Sequence, residues 1–174
     1  AETEGIAFIN SEDFLVACRE RGVAGAEVSF TDEEIAVLLF TSGTTGDPKA
    51  AVLRHTNLTS YVISSVEFMG AGEDEAALVS VPPYHIAGIS AVLTGVYSGR
   101  RIVYLPNFTP EAWVDAAASE KISHAMVVPT MLGRVLDLIE QQGENLPHLC
   151  ALSYGGGRMP QSVIERALRL MPHV

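Results

Sequence analysis

Basic residues are scarce in this chain: eleven lysines and arginines stand against twenty-one aspartates and glutamates over 174 residues, a formal charge of −10. A duplex-binding surface needs a cationic stripe that releases counterions, and none is visible, so nucleic acid is excluded as a partner. Cysteine is scarcer still. Cys18 and Cys150 lie far apart with no C-x-x-C, which signals neither a disulfide scaffold nor a zinc knuckle and fits a reducing, cytoplasmic setting. No apolar run reaches the roughly 18 residues of a membrane span, and residues 1–30 do not read as a secretory leader, so no transmembrane segment is expected.

What is present is apolar. Hydrophobic residues make up 48% of the chain and mean hydropathy is +0.24, with a pI near 4.8. The length supports one well-filled core and is marginal for two. The hydropathy is high for a free-standing domain of this size. A piece of something larger is the expectation, because the sequence stops at Val174 directly after a helix with no closing strand.

Residues 1–34 form an acidic lead-in carrying nine carboxylates, read as a solvated face or linker. One short helix is expected there, capped by Ser11 and stopped by Gly22. From residue 35 to 174 the pattern alternates. Ile35 to Phe40 reads as a buried strand, with Ala50 to Leu53 returning antiparallel across a Thr/Gly-rich turn. Leu58, Tyr61, Val62, Val66 and Met69 follow helical spacing up to a stop at Gly70. Strands are expected at Ala76–Val81, Arg101–Leu105, Ala125–Val128 and Leu149–Tyr154. Between and after them come four helices. One spans residues 86–98, and another follows the Thr109-Pro110-Glu111 cap and buries Trp113, Val114 and Ala117. A third is capped by Thr130 and uses Met131, Leu132, Val135, Leu136 and Ile139. The last opens at Pro160 with Val163, Ile164, Ala167 and Leu168. The fold class is therefore α/β: a layered, mostly parallel sheet with flanking helices and one hairpin.

The richest stretch for chemistry is Thr41-Ser42-Gly43-Thr44-Thr45-Gly46-Asp47-Pro48-Lys49. Its hydroxyls, two glycines, backbone N–H groups and lysine can wrap phosphate oxygens. It is not a Walker A loop, since Pro48 stands five residues after Gly43. By composition alone it can equally be a hairpin turn. His85, between a strand end and a helix start, reads as a structural histidine or a site residue. Gly155-Gly156-Gly157 after a strand reads as a plain turn or as the crevice at strand C-termini where α/β sheets bind ligands. His55, His124, His148 and His173 show no metal-ligand spacing and read as structural or exposed. Gly88-Ile89-Ser90-Ala91 begins like a nucleophile elbow, but Val92 replaces the required glycine.

The segment TSGTTGDPK resembles the phosphate-binding signature of the adenylate-forming (AMP-binding) superfamily, which includes acyl-CoA synthetases, luciferases and peptide-synthetase adenylation domains. Ala50 departs from the glycine usual there. Val81-Pro82-Pro83-Tyr84-His85-Ile86-Ala87-Gly88 resembles the second motif. Ser153-Tyr154-Gly155-Gly156-Gly157-Arg158-Met159-Pro160 resembles the later "GGA-x-x-P" segment, with Gly157 for the usual alanine and Arg158 where proline is common; Arg158 is left unassigned. Val-Pro-Thr-Met-Leu around Thr130 and Met131 also looks like acyl-CoA synthetases. The resemblance covers about residues 30 to 174.

It implies a fragment of the large N-terminal domain of an ATP-dependent acyl- or aryl-CoA synthetase. Such an enzyme converts a carboxylic acid and Mg2+-ATP to acyl-adenylate and pyrophosphate, then transfers the acyl group to the thiol of CoA. Thr41, Ser42, Gly43, Thr44, Thr45, Gly46 and Lys49 would bind the ATP phosphates. Tyr84 and His85 would line the acyl–thiol passage, and Gly155, Gly156 and Gly157 would wall the adenine and acyl pocket. The family's Tyr-Gly-x-Thr-Glu segment, most magnesium ligands and the catalytic lysine are expected beyond Val174, so no catalytic or metal residue is assigned and the chain alone is expected to be inactive. An adenylation domain or acyl-AMP ligase of a peptide or polyketide synthetase, and a non-catalytic nucleotide-binding fragment, remain as alternatives. Apolar flanks of such a piece are expected to support a homodimer.

Overall fold

In the computed structural model, which describes residues 31–41 and 49–174 together with Val16 and Ser29, the short apolar runs form strands and the longer periodic ones helices. The chain divides into two units, Ala1–Thr31 and Asp32–Val174. Apart from Val16, which is helical, the helix expected between Ser11 and Gly22 lies outside the described residues.

β1 (Ile35–Thr41) and β2 (Lys49–Arg54) pair antiparallel, with Phe40 opposite Ala50 and Thr41 opposite Lys49. The pairing is the one expected, longer by a residue at the end of β1 and at each end of β2, but β1 is not a buried strand: Ile35, Leu38 and Phe40 are exposed and Ala36, Val37 and Leu39 only half-buried, because a two-stranded hairpin has no second layer over its outer face. α1 (His55–Ser65) is shorter than its periodicity suggests. Instead of running to Gly70 it ends where Val66 turns to φ −145° and ψ 155°. The hydroxyls of Ser64 and Ser65 donate to the Tyr61 carbonyl at 3.0 and 2.7 Å, competing with the helical ladder. Tertiary contacts then claim the apolar residues: Phe68 meets the Tyr97 ring edge-on at 5.2 Å, and the Met69 N–H donates to the Tyr97 carbonyl.

Four strands, β3 (Ala76–Val79), β4 (Arg101–Tyr104), β5 (His124–Val127) and β6 (Ala151–Tyr154), form a wholly parallel sheet in the order β4-β3-β5-β6. Helices connect them: α2 (Ile86–Ser98), α3 (Pro110–Ser119) and α4 (Pro129–Gln142), with α5 (Gln161–Leu170) after β6. The expected α/β architecture with a parallel sheet and flanking helices is therefore present. α3 starts as its sequence dictates, the Thr109 hydroxyl accepting from the Ala112 N–H at 3.1 Å ahead of Pro110. α4 does not. Thr130 lies inside the helix and Val128 occupies the cap, because Pro129 suits the first helical position and starts the helix two residues earlier.

Strand alternation divides the sheet residues between its two faces. Ala76, Leu78, Ala125, Val127 and the half-buried Leu152 join a core with Trp113, Val114 and Ala117 of α3 and Leu132, Val135, Leu136 and Ile139 of α4. Val163, Ile164 and Ala167 of α5 pack half-buried against it. Leu168, grouped with them by periodicity, is exposed. At about 100° per residue it sits roughly 110° from the centre of the face that Val163, Ile164, Ala167 and Leu170 share. Trp113 is fully buried, yet its indole N–H finds no acceptor among the described residues. Among those residues no helix is long and apolar enough to cross a membrane.

Truncating Leu136, which is 0% exposed, to alanine is expected to cost about 2–5 kcal/mol, whereas Leu168→Ala stays within about 0.5 kcal/mol. Trp113→Phe is expected to cost less than Leu136→Ala, since it also removes an unsatisfied buried donor. Urea unfolding of the three variants measures the order, and equal losses for Leu136→Ala and Leu168→Ala would contradict it.

Candidate functional site

The C-terminal edge of the sheet is shaped by glycine and proline. After β3 the chain passes Pro82 and Pro83 and turns at His85 into α2; the His85 N–H donates to the Pro82 carbonyl at 3.1 Å. Gly88 sits directly on that carbonyl, where an added Cβ would lie 2.4 Å from its oxygen. The glycine three residues after the histidine is thus a steric requirement of this turn. The Tyr84 and His85 rings lie 4.9 Å apart, with Tyr84 72% exposed. After β6, Gly156 adopts φ +77°, a left-handed conformation that L side chains resist.

Between α2 and the sheet lies an open cavity of about 970 Å³. Ala77 of β3, Met126 of β5 and Ala151 and Ser153 of β6 line it, side chains of the face opposite the core. Ile86, Ala87, Ser90, Ala91 and Thr94 of α2 form the other wall. His85, Gly155 and Gly156 line it by the C-terminal sheet edge. Neither Tyr84 nor Gly157 lines it; a methyl at Gly157 would meet only Pro129, at an ordinary 3.7 Å. None of the described residues lining the cavity is acidic.

At the other end, beside the N-terminal edge of the sheet, Arg100 and His124 line the cavity. Parallel pairing sets the residue before β3 beside the residue before β4, and Glu75 there receives Arg100 Nε and Nη2 at 2.8 and 2.7 Å. His124 Nδ1 lies 2.8 Å from Ser123 Oγ and 3.8 Å from the Glu75 carboxylate. The hydrogen bond from Arg100 holds the Glu75 carboxyl below the usual carboxylate range. Burial, aided by the Arg100 charge, pushes the His124 imidazole down, so it is neutral near pH 7.

Of the nine-residue loop, Thr41 and Lys49 face each other at the base of the hairpin. Ser42, Gly43, Thr44, Thr45 and Gly46 lie outside the described residues. Among the described residues no group of three His, Cys, Asp or Glu side chains could hold a metal ion.

A family model described as AMP-binding enzyme matches residues 6–174. The chain belongs to the AMP-binding enzymes. The 2-succinylbenzoate–CoA ligase of Staphylococcus aureus (strain JH9) is 32% identical over 168 residues, 96% of this chain and 33% of that protein. The chain thus spans about a third of the length of the curated relatives it matches. Among solved structures, the o-succinylbenzoate CoA synthetase of Bacillus subtilis in complex with ATP and magnesium ion superposes with a TM-score of 0.71 at 26% identity, covering 83% of this chain and 30% of that one. The inhibitor-bound N-terminal domain of FACL13 from Mycobacterium tuberculosis reaches a TM-score of 0.78 over 91% of this chain and 40% of its own, at 21% identity, a likeness of fold.

For an AMP-binding enzyme the motif residues His85, Gly155 and Gly156 are brought to one cavity, while Arg100, His124 and Thr94 join them without any motif. Sequence reasoning took His124 for a structural or exposed residue. The available signal was positional: Glu75, Arg100 and His124 each stand at or just before the start of a strand. The strand order needed to assemble them is not written in that pattern. Gly156→Ala is expected to destabilise the protein by about 1–2 kcal/mol through its left-handed backbone, and Gly157→Ala by less than about 0.5 kcal/mol. Thermal unfolding of both variants checks this, and equal shifts would contradict the conformational assignment.

Proposed function

We propose that the protein activates a carboxylic acid as an acyl-adenylate at the expense of ATP and passes the acyl group to the thiol of CoA. The observation that carries this reading is the apolar cavity opening between His85 and Gly155–Gly156 at the C-terminal edge of a parallel sheet, where α/β folds place ligands. The CoA-ligase activity for which the relatives are named and the ATP and magnesium bound by the similar Bacillus structure support the choice of co-substrates. The difficulty of the first step is a weak nucleophile approaching a polyanion. In this reading Thr41, Ser42, Gly43, Thr44, Thr45, Gly46 and Lys49 hold and neutralise the phosphates as charge builds on the departing pyrophosphate. His85, with Tyr84 on its exposed side, guards the passage between acid and thiol. Gly155, Gly156 and Gly157 keep the adenine side thin, Gly157 through backbone alone. Magnesium would supply charge neutralisation when bound, and the described residues do not offer a ligand set for it.

The acid lacks an α-amine in this reading. A buried ammonium needs a carboxylate, and an unpaired buried charge costs several kcal/mol. No carboxylate occurs from Val79 to Arg101, and none is among the described residues lining the cavity. Fatty and aryl acids are therefore the substrate candidates.

Acid-dependent ATP–pyrophosphate exchange by the whole protein tests the reading. Fatty or aromatic acids are expected to drive exchange, and Lys49→Ala to reduce it ~10²-fold. Exchange driven mainly by any of the twenty amino acids would overturn it. Self-association belongs to the same proposal: Leu38, Phe40 and Val52 of the hairpin are exposed, an apolar face suited to a second copy. Light scattering is expected to show a dimer, and a strict monomer at high concentration argues against that face.

A further inference from the structure

The end of the cavity remote from His85 is polar, and its hydrogen-bonding pattern is specific. Ser123 Oγ has one proton. It accepts from the Ala76 N–H at 2.9 Å and donates to the Ala76 carbonyl at 3.0 Å. Its contact with His124 Nδ1 at 2.8 Å is a donation from the imidazole when the serine proton stays on the Ala76 carbonyl, which also accepts from the Ser123 N–H at 2.9 Å. The Glu75 carboxylate 3.8 Å from Nδ1 favours the same tautomer, since a bare lone pair there would face a negative charge. The network thus assigns the proton to Nδ1 and leaves Nε2 as an acceptor. Beside it Arg100, which lines the cavity, spends Nε and Nη2 on Glu75 and keeps further N–H donors in its fork. The cavity therefore ends in one acceptor on the imidazole and the remaining N–H donors of the guanidinium, and the Arg100–Glu75 pair with a neutral imidazole carries no net charge.

Three kinds of terminus can be compared. A methyl group would desolvate His124 and Arg100 without replacing their hydrogen bonds, which costs about 1–3 kcal/mol per group in general. A carboxylate offers acceptors only, so it would oppose the Nε2 lone pair and bring a second negative charge towards Glu75. A hydroxyl donates once and accepts twice, matching both groups without changing the charge. Length adds a second limit. The lining of β5 and its extension runs from His124 to Val128, about 13 Å at roughly 3.3 Å per residue. An extended acyl chain advances about 1.3 Å per bond, so about ten carbons reach from one end to the other.

We propose that the acid accepted by this cavity is a hydroxy acid of about ten carbons, its hydroxyl at the end remote from the reacting carboxyl, donating to His124 Nε2 and accepting from Arg100. This rests on the acid–thiol ligase reading and narrows its substrate class. Arg100 and His124 act here as specificity residues and take no part in adenylation itself.

The test is kcat/KM for ATP–pyrophosphate exchange by the whole protein with 10-hydroxydecanoic, decanoic and decanedioic acids. The hydroxy acid is expected to exceed both others by about tenfold or more. His124→Phe, which keeps the ring and removes the acceptor, is expected to bring the hydroxy-to-methyl ratio to within about twofold. Arg100→Gln serves as the second variant if His124→Phe does not fold, with the same loss of preference. A wild-type protein that prefers decanoic or decanedioic acid, or treats all three alike, would overturn the inference and leave the ligase reading intact. So would a variant that keeps the wild-type ratio. Exchange with no acid of any class would overturn the ligase reading, and the inference with it.

Discussion

Everything in this molecule depends on the period-two alternation of four short parallel strands. A sheet face can be filled by helices or left open for something else, but successive residues cannot serve the same face. Leu78 and Val127 are committed to the core under α3 and α4, and so their neighbours Ala77 and Met126 are committed to the cavity under α2. Fully buried Val135, Leu136 and Trp113 hold the first face shut. A one-residue slip of β5 would carry His124 and Met126 into the core and Val127 into the cavity, reversing the chemistry of both layers. The register is therefore as much a property of the site as of the fold.

The two edges of the sheet are specialised differently. At the C-terminal edge the requirements are those of backbone: Gly88 lets α2 begin against the Pro82 carbonyl, and Gly156 takes a left-handed turn. Side chains there are few, which leaves room for groups brought from elsewhere. At the N-terminal edge the requirements are electrostatic. Glu75 and Arg100 pair as partly buried charges, the guanidinium donating to the carboxylate from Nε and Nη2. Burial, with the Arg100 charge, pushes the His124 imidazole down against the opposing attraction of Glu75. An apolar corridor thus runs from the glycines at one sheet edge to a polar, charge-balanced group at the other.

Much of this was legible in the sequence. Pro110 and Thr109 announced α3, the run from Ile86 to Ser98 announced α2, and the spacing of Leu132, Val135, Leu136 and Ile139 announced α4, because each of these signals is local. The failures were also local signals, overridden by something stronger. Val66 and Met69 keep helical spacing with Val62, but serine hydroxyls and the ring of Tyr97 take the chain out of the helix. Thr130 is a good cap residue beside a proline that is a better helix starter. His85, Gly155 and Gly156, singled out by their motifs, line one cavity in the structure. Arg100 and His124 were not legible, since 24 positions separate them in sequence and only the adjacency of β4, β3 and β5 unites them around Glu75.

Covalent mapping of a bound acid tests the two-faced sheet most directly. A fatty acid carrying a mid-chain diazirine, photolysed with the whole protein and ATP and located by peptide mass spectrometry, is predicted to label α2 around Ala91 and β5 around Met126, with competition by unmodified acid. Label on the α3–α4 face, around Trp113 or Leu136, or label confined to the β1–β2 hairpin, would contradict the assignment of the acid to the face opposite the core.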